Sequence, residues 1–342
     1  SANHCTGRKC EVEGFTMQKI AELMRAKAVE LLQSGKAERV LAWRAGEFFY
    51  DNAPAVFNDV DACQEIVYNE FCPANLAKYL IEATKQQKKT AVFLKPCDTY
   101  GVNQLLKDHR IKREYFYAVG TPCSGMLDVK KIKELGAKAI TKITCEDNKV
   151  IVETPYGTKE FAKEEVLLDK CMMCKGNDYK IADEELGEKL EPIQFVGDRF
   201  AAVKAIEAMS AEERFAFWQE ELSKCIRCNA CRDICPACSC EQCIFDNQEA
   251  PVAGKAAADD VEEQLFHLIR AYHVAGRCVG CGECARVCPQ GVKLGLLNLK
   301  FIKDINQFYG AYQAGEDATT PSPLVSYKEN DPEAEEAVQR RG

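Results

Sequence analysis

Eight cysteines stand in two runs of identical spacing. Cys225, Cys228, Cys231 and Cys235 form C-x2-C-x2-C-x3-C and are followed by Pro236. Cys278, Cys281, Cys284 and Cys288 repeat the pattern and are followed by Pro289. Three thiolates on one tight loop reach three irons of a single 4Fe–4S cube, while the fourth, a turn further on, ligates the other cube. The spacing therefore predicts cluster one on Cys225, Cys228, Cys231 and Cys288, and cluster two on Cys278, Cys281, Cys284 and Cys235. Structural zinc favours paired C-x2-C units separated by a longer loop, and neither run has that form. The chemistry these residues suit is one-electron transfer.

A second set of cysteines lies in the first half. Cys97 follows the β-rich run 90–94, and Cys123 follows the run 114–119. An open parallel sheet binds its ligands beyond the C-terminal ends of its strands, so both thiols are expected at one edge. Cys171-x2-Cys174 is able to close a loop over that edge. Four convergent cysteines are expected to hold a third 4Fe–4S cluster. A zinc site or a set of buried free thiols also fits the residues alone. Cys72, before Pro73, is a reserve ligand. No cluster is expected at Cys5 and Cys10, and no role is assigned to Cys63 and Cys145. Cys238, Cys240 and Cys243 exceed what two cubes need and read as a loop packed near cluster two, with a further metal site left open. His267 and His273 lack ligand-type partners at a suitable spacing and read as structural or surface residues.

The elements that must carry these cysteines are legible in the pattern. Apolar residues recur at helical spacing over 17–34. Runs at 39–43, 90–94, 114–119 and 139–144 read as strands, and 75–86, 102–108 and 128–135 as helices between them. This alternation argues for a mainly parallel sheet in an α/β N-terminal domain. Segments 149–153 and 155–157 read as a hairpin near the end of that sheet. From about 196 the pattern changes. Residues 198–223 have helical periodicity, with Phe200, Val203, Ile206, Phe215 and Trp218 as expected buried positions. An amphipathic helix over 261–275 is expected to bury Leu265, Leu268, Ile269 and Tyr272, and a closing helix spans 294–312. The division is thus an α/β domain over 1–195, a small α+β two-cluster domain with flanking helices over 196–315, and a disordered or partner-wrapping tail over 316–342.

Composition limits the function. The 342 residues are 46% hydrophobic and 29% charged, with a net charge of −8 and a pI near 5.3. No basic block suits nucleic acid. No apolar run approaches the ~20 residues that span a bilayer, and no stretch resembles a signal peptide. Of the twenty cysteines, at least the eight in the two runs are read as thiolate ligands, which implies a reducing cytoplasm and an anaerobic host.

LKPCDTYGVNQLLKDHRIKREYFYAVGTPCSGMLD and CMMCKGNDYKIADEELGE resemble the beta-subunit family of deazaflavin-reducing hydrogenase and formate dehydrogenase, over roughly residues 35–195. CIRCNACRDICPACSCEQC and HLIRAYHVAGRCVGCGECARVCPQGV resemble the two-cluster ferredoxin module fused to many members. The resemblance implies an oxidoreductase subunit that binds FAD beside a proximal 4Fe–4S cluster held at Cys97, Cys123, Cys171 and Cys174. Lys95, Gly120 and Thr121, at the strand ends, are the implied flavin contacts. Partners implied are other redox subunits of hydrogenase, formate dehydrogenase or heterodisulfide-reductase type. No GxGxxG fingerprint is present, so a Rossmann-type NAD site is unsupported. A flavin-free subunit that wires two other redox subunits together is the rival reading.

Overall fold

The helical pattern at the start becomes α1 (Met17–Gln33), whose Ile20, Met24, Ala28 and Leu31 are buried on one face. This computed structural model describes residues 17–146, 148–190, 197–247, 249, 260–329 and 331–333. Cys5, Cys10 and the expected domain boundary at 195/196 lie outside them. Eight strands follow in chain order: β1 (Arg39–Ala45), β2 (Asn52–Phe57), β3 (Thr90–Leu94), β4 (Phe116–Gly120), β5 (Lys142–Glu146), β6 (Lys149–Thr154), β7 (Gly157–Ala162) and β8 (Glu184–Glu185). The main sheet has the order β2-β1-β3-β4-β8, with β1, β3, β4 and β8 parallel and β2 antiparallel at the edge. β3 is buried at all five positions, as a parallel strand covered on both faces should be. The helices α2 (Leu80–Gln86), α3 (Pro96–Lys107), α4 (Val129–Glu134), α5 (Lys163–Val166) and α6 (Asp169–Met172) complete this half.

Two strand expectations are corrected. The run expected at 139–144 forms β5 slightly later, and it does not join the parallel sheet. It pairs antiparallel with β6, which pairs antiparallel with β7, in a separate three-stranded sheet over its own small core. The expected hairpin is the β6–β7 half of that sheet. β2 was not expected: its sequence NAPAVF carries Pro54, which is tolerated because the strand lies at the edge.

The second half contains α7 (Ala201–Glu207), α8 (Ala211–Ser223), α9 (Ala230–Asp233), α10 (Asp260–Val274), α11 (Glu283–Arg286) and α12 (Leu294–Tyr309). Among the described residues from 197 onward there is no strand, so the α+β character expected of this domain is not met there. The residues between the cysteines go instead into left-handed turns and one-turn helices. The helical periodicity over 198–223 is carried by two helices, α7 and α8. Ser210 starts the second by accepting from the Glu213 amide, while Glu213 accepts from the Ser210 amide, a reciprocal cap. The break resets the phase: Val203 and Ile206 are buried, but Phe215 is 61% exposed.

α10 is turned the opposite way from its apolar pattern. Leu265, Leu268 and Tyr272 are exposed, and Glu263, Phe266, His267, Arg270, Ala271 and Val274 are buried. Charge pairing selects this face. Glu263 meets Arg227 at 2.7 Å, and Arg270 donates to the Cys231 carbonyl at 2.8 Å. Of the expected tail over 316–342, residues 330 and 334–342 lie outside the described residues. Glu316 pairs with Lys180 at 2.6 Å, and Ser322 is buried. No described helix is long and apolar enough to cross a membrane.

Candidate metal centres

The two C-terminal runs share a backbone. Arg227 and Asn229 in the first have φ of 53° and 63°, and Gly280 and Gly282 at the matching positions of the second have 66° and 69°. Left-handed residues at these two places turn the chain around a central point, and the one-turn helices α9 and α11 follow each run. Gly282 is also required for space, since a Cβ there would lie 2.6 Å from Lys170 Cβ. At the other run, Pro236 packs on α3, where a Cβ on Gly101 would lie 3.1 Å from Pro236 Cγ.

The side chains gather into two cavities. Cys225, Cys228, Cys231 and Cys288 line one, and Cys278, Cys281, Cys284 and Cys235 line the other. Each run thus lends its last cysteine to the other's cavity. Several sulfurs accept hydrogen bonds: Cys225 from the Arg227 amide (3.3 Å), Cys288 from the Val292 amide (3.4 Å) and Cys284 from Asn298 Nδ2 (3.5 Å). Such donors favour anionic sulfur. Burial alone works against it, raising the thiols of Cys225 and Cys278 to about 11 and of Cys284 to about 12. A metal that displaces the thiol proton reverses that balance. Arg270 is buried beside the first run, bonded to the Cys231 carbonyl. Despite burial, the charges of Cys235, Cys238, Cys284 and Cys231 hold its pKa above the usual value.

In the first half, β3 runs into Lys95-Pro96, and Pro96 opens α3 in the first helical turn, where Pro is favoured. Asp98 accepts from the Lys95 amide at 3.2 Å and fixes this entry. Cys97 is thereby placed in the first turn of α3, earlier than the expected helix start at 102. Cys123 follows β4, and Cys171 and Cys174 lie in and just after α6. The four are close enough for their charges to interact. Burial raises the Cys123 thiol to about 11, with the charge of Cys171 next and that of Cys174 further adding to it. Cys97 is raised chiefly by burial and then by Asp98, with Cys123 contributing. The amides of Gly125 and Met126 donate to Cys123 Sγ and Cys171 Sγ, each at 3.4 Å.

This set adjoins the second cavity. Met173, between Cys171 and Cys174, lines the cavity of Cys235, Cys278, Cys281 and Cys284. Lys175 donates to the Val279 carbonyl at 2.5 Å. Burial lowers its pKa to about 8 and Arg199 adds to that, against the charges of Cys281, Cys97 and Cys278. Lys170 bonds Glu283, which is also held by Arg286 at 2.7 Å. Despite burial, Lys170 and Arg286 keep the Glu283 carboxyl down at about 2.

The three residues considered for flavin contact are covered by the chain. Lys95 is 1% exposed, not a surface lysine. Its Nζ donates to the Ala74 carbonyl (2.8 Å), pairs with Asp98 (3.0 Å) and stands 4.2 Å from the centroid of the Trp43 ring. Thr121 is buried, and a Cβ on Gly120 would lie 2.9 Å from the Tyr179 ring. Cys72 is also buried in the N-terminal core. Its Sγ has Asn52 Nδ2 at 3.6 Å and Asn69 Oδ1 at 3.8 Å, and burial raises its thiol to about 12. Cys63 is a core residue, and Cys145 lies on β5.

Cys238, Cys240 and Cys243 line a separate cleft of about 470 Å³ between α2 and the loop after α9. The Cys238 thiol beside Cys235 holds the Cys235 thiol below its usual value, against burial. His273 is exposed at the same cleft. His267 is the residue the spacing argument missed. It is 2% exposed, it lines the cavity of Cys225 and Cys288, and one ligand atom each of His267, Glu263 and Cys225 lies within 4.8 Å of the others. Burial, with Arg270 and Arg227 nearby, pushes its pKa down to about 3. The signal was present in sequence: Glu263 and His267 stand four residues apart, on one face of a helix.

Residues 87–195 match the family of the C-terminal part of the coenzyme F420 hydrogenase/dehydrogenase beta subunit, and residues 221–292 match the 4Fe-4S dicluster domain. Over 353 aligned residues the chain is 25% identical to the F420-dependent formate dehydrogenase subunit beta of Methanocaldococcus jannaschii, covering 86% of this chain and 92% of that one. It is 24% identical over 305 residues to the F420-dependent formate dehydrogenase 1 subunit beta of Methanococcus maripaludis, covering 72% and 78%. A shorter stretch of 68 residues is 37% identical to Ferredoxin-3 of Rhodobacter capsulatus, covering 19% of this chain and 66% of that one.

Proposed function

We propose that this chain, which joins a C-terminal beta-subunit domain of the F420 hydrogenase/dehydrogenase type to a 4Fe–4S dicluster domain, is the iron–sulfur flavoprotein subunit of a cytoplasmic anaerobic redox complex. When bound, FAD exchanges electron pairs with a soluble donor or acceptor, and three 4Fe–4S clusters carry single electrons to or from a partner protein. Cys97, Cys123, Cys171 and Cys174 hold the proximal cluster. Cys278, Cys281, Cys284 and Cys235 hold the middle one, and Cys225, Cys228, Cys231 and Cys288 the distal one.

The observation that carries this reading is the position of Met173. It stands between two cysteines of the proximal set and lines the cavity of the middle set. The remaining residues serve the same arrangement. Backbone amides and Asn298 point at sulfurs, and Arg270, Lys170 and Lys175 place positive charge between neighbouring sets of thiolates. Coenzyme F420, named in the relatives, is the leading two-electron partner, and formate dehydrogenase or hydrogenase subunits are the leading protein partners. Lys95, Gly120 and Thr121 are the flavin-side candidates, and the segment carrying Tyr179 must move for a flavin to touch Gly120. That burial favours a second reading, a flavin-free subunit that only wires other redox subunits together.

The test is flavin released by denaturing the anaerobically purified full chain, together with the bleaching of its visible spectrum. We expect one non-covalent FAD per chain and flavin bleaching by reduced coenzyme F420 ahead of the clusters. Protein that holds all its iron, lacks flavin and takes none up on reconstitution supports the flavin-free wire instead.

A further inference from the structure

His267 is 2% exposed, and neither ring nitrogen has a hydrogen-bond partner. An imidazole left without partners in the interior is costly, because a buried donor or acceptor forfeits its bonds to water. Glu263 Oε1, one helical turn away, is also buried and unpartnered, although its other oxygen meets Arg227. Both side chains face Cys225, with one ligand atom of each of the three residues within 4.8 Å of the others. The ring lines the same cavity as Cys225, Cys228, Cys231 and Cys288. α10 gives up the burial of Leu265, Leu268 and Tyr272 to turn this polar face inward.

We infer that His267 is a positioning residue for the distal cluster: its ring N–H donates a hydrogen bond to the sulfur of Cys225 or to a cluster sulfide, and so raises the potential of that cluster alone. This rests on the proposed assignment of Cys225, Cys228, Cys231 and Cys288. A hydrogen bond to sulfur stabilises the more electron-rich, reduced cluster and moves its potential upward. The one N–H of a neutral imidazole, unpaired at this depth, has a reason to exist if an anionic sulfur stands before it. The middle set has its own side-chain donor, Asn298 to Cys284. The two C-terminal clusters are therefore tuned by different groups, an imidazole at one and an amide at the other.

The test uses the full-length chain, reconstituted anaerobically, as the parent, H267L and H267Q, with C228S marking which EPR signal belongs to the distal cluster. Iron content is measured first, and each cluster is then titrated. In parent protein carrying isotopically labelled histidine, pulsed EPR reads the coupling of ring nitrogen to the reduced cluster. We expect nitrogen coupling on the signal that C228S alters, and its loss in both variants. In H267L that cluster's potential falls while the other clusters stay in place, and H267Q, which keeps an N–H donor, falls less. Full iron with unmoved potentials in H267L overturns the inference. If H267L loses iron, the parent decides: no histidine nitrogen coupling on the distal signal overturns it equally. A parent chain with no signal sensitive to C228S fails the cluster assignment itself and takes the inference with it.

Discussion

Lys95 shows how far residue type can mislead when burial is not yet known. In sequence it is a lysine at a strand end, placed as a flavin contact. In the fold it is a core ion pair with Asp98 under Trp43. Removing one partner of such a pair strands the other charge, which costs about 3–5 kcal/mol. Lys95→Ala should lower unfolding stability by about that amount in urea titrations, and Lys95→Met with Asp98→Asn should recover much of the loss. If the single variant unfolds like the parent, the pair is not a structural element. The cysteines were far easier to read, because an eight-residue ligand pattern needs no knowledge of burial. At Cys123 the expectation is equally sharp. Cys123→Ala should remove or convert the proximal cluster while the two other cluster signals stay unchanged by EPR, and the loss of all signals together would contradict a separate site.

At the scale of elements, what the sequence hid was orientation. α10 lies within a residue or two of the segment its pattern predicts, yet that pattern points to a buried face of Leu265, Leu268, Ile269 and Tyr272, of which only Ile269 is half-buried. Apolar periodicity chooses a face only when no charged group on the other side has a fixed partner, and here Glu263 and Arg270 do. Over 198–223 periodicity alone leaves the boundary open, and the Ser210–Glu213 cap, S-x-x-E in the sequence, divides the stretch into α7 and α8. Ser210→Ala should cost about 1 kcal/mol in stability with cluster content unchanged, measured by denaturant titration against iron content. β5 shows the same limit in strands, because period alone cannot say which sheet a strand joins. The contact between α6 and α11 is held by Glu283, gripped by Lys170 and Arg286. Glu283→Ala leaves both cations short of a buried partner, and we expect about 3 kcal/mol of destabilisation with faster proteolysis between the two halves. Unchanged protease resistance would show that this grip is dispensable.

Across the whole molecule, the fold brings the segment of Cys171 and Cys174 against the cavity of Cys235, Cys278, Cys281 and Cys284, which spacing could not reveal. The sequence placed two sets within one domain and a third in another, but only the fold sets Met173 and Lys175 between them. Two halves that read as separate domains meet through Lys78, which donates to the Arg232 and Cys238 carbonyls, through Arg277 with Asp108, and through the Glu283 pairs. That one chain holds three clusters is tested by anaerobic iron and sulfide analysis of the full chain beside the variant with Cys97, Cys123, Cys171 and Cys174 all changed to alanine. We expect about twelve irons per parent chain, three cubes of four, and about eight in the variant. Equal iron in the two proteins, or zinc in place of iron, would contradict it.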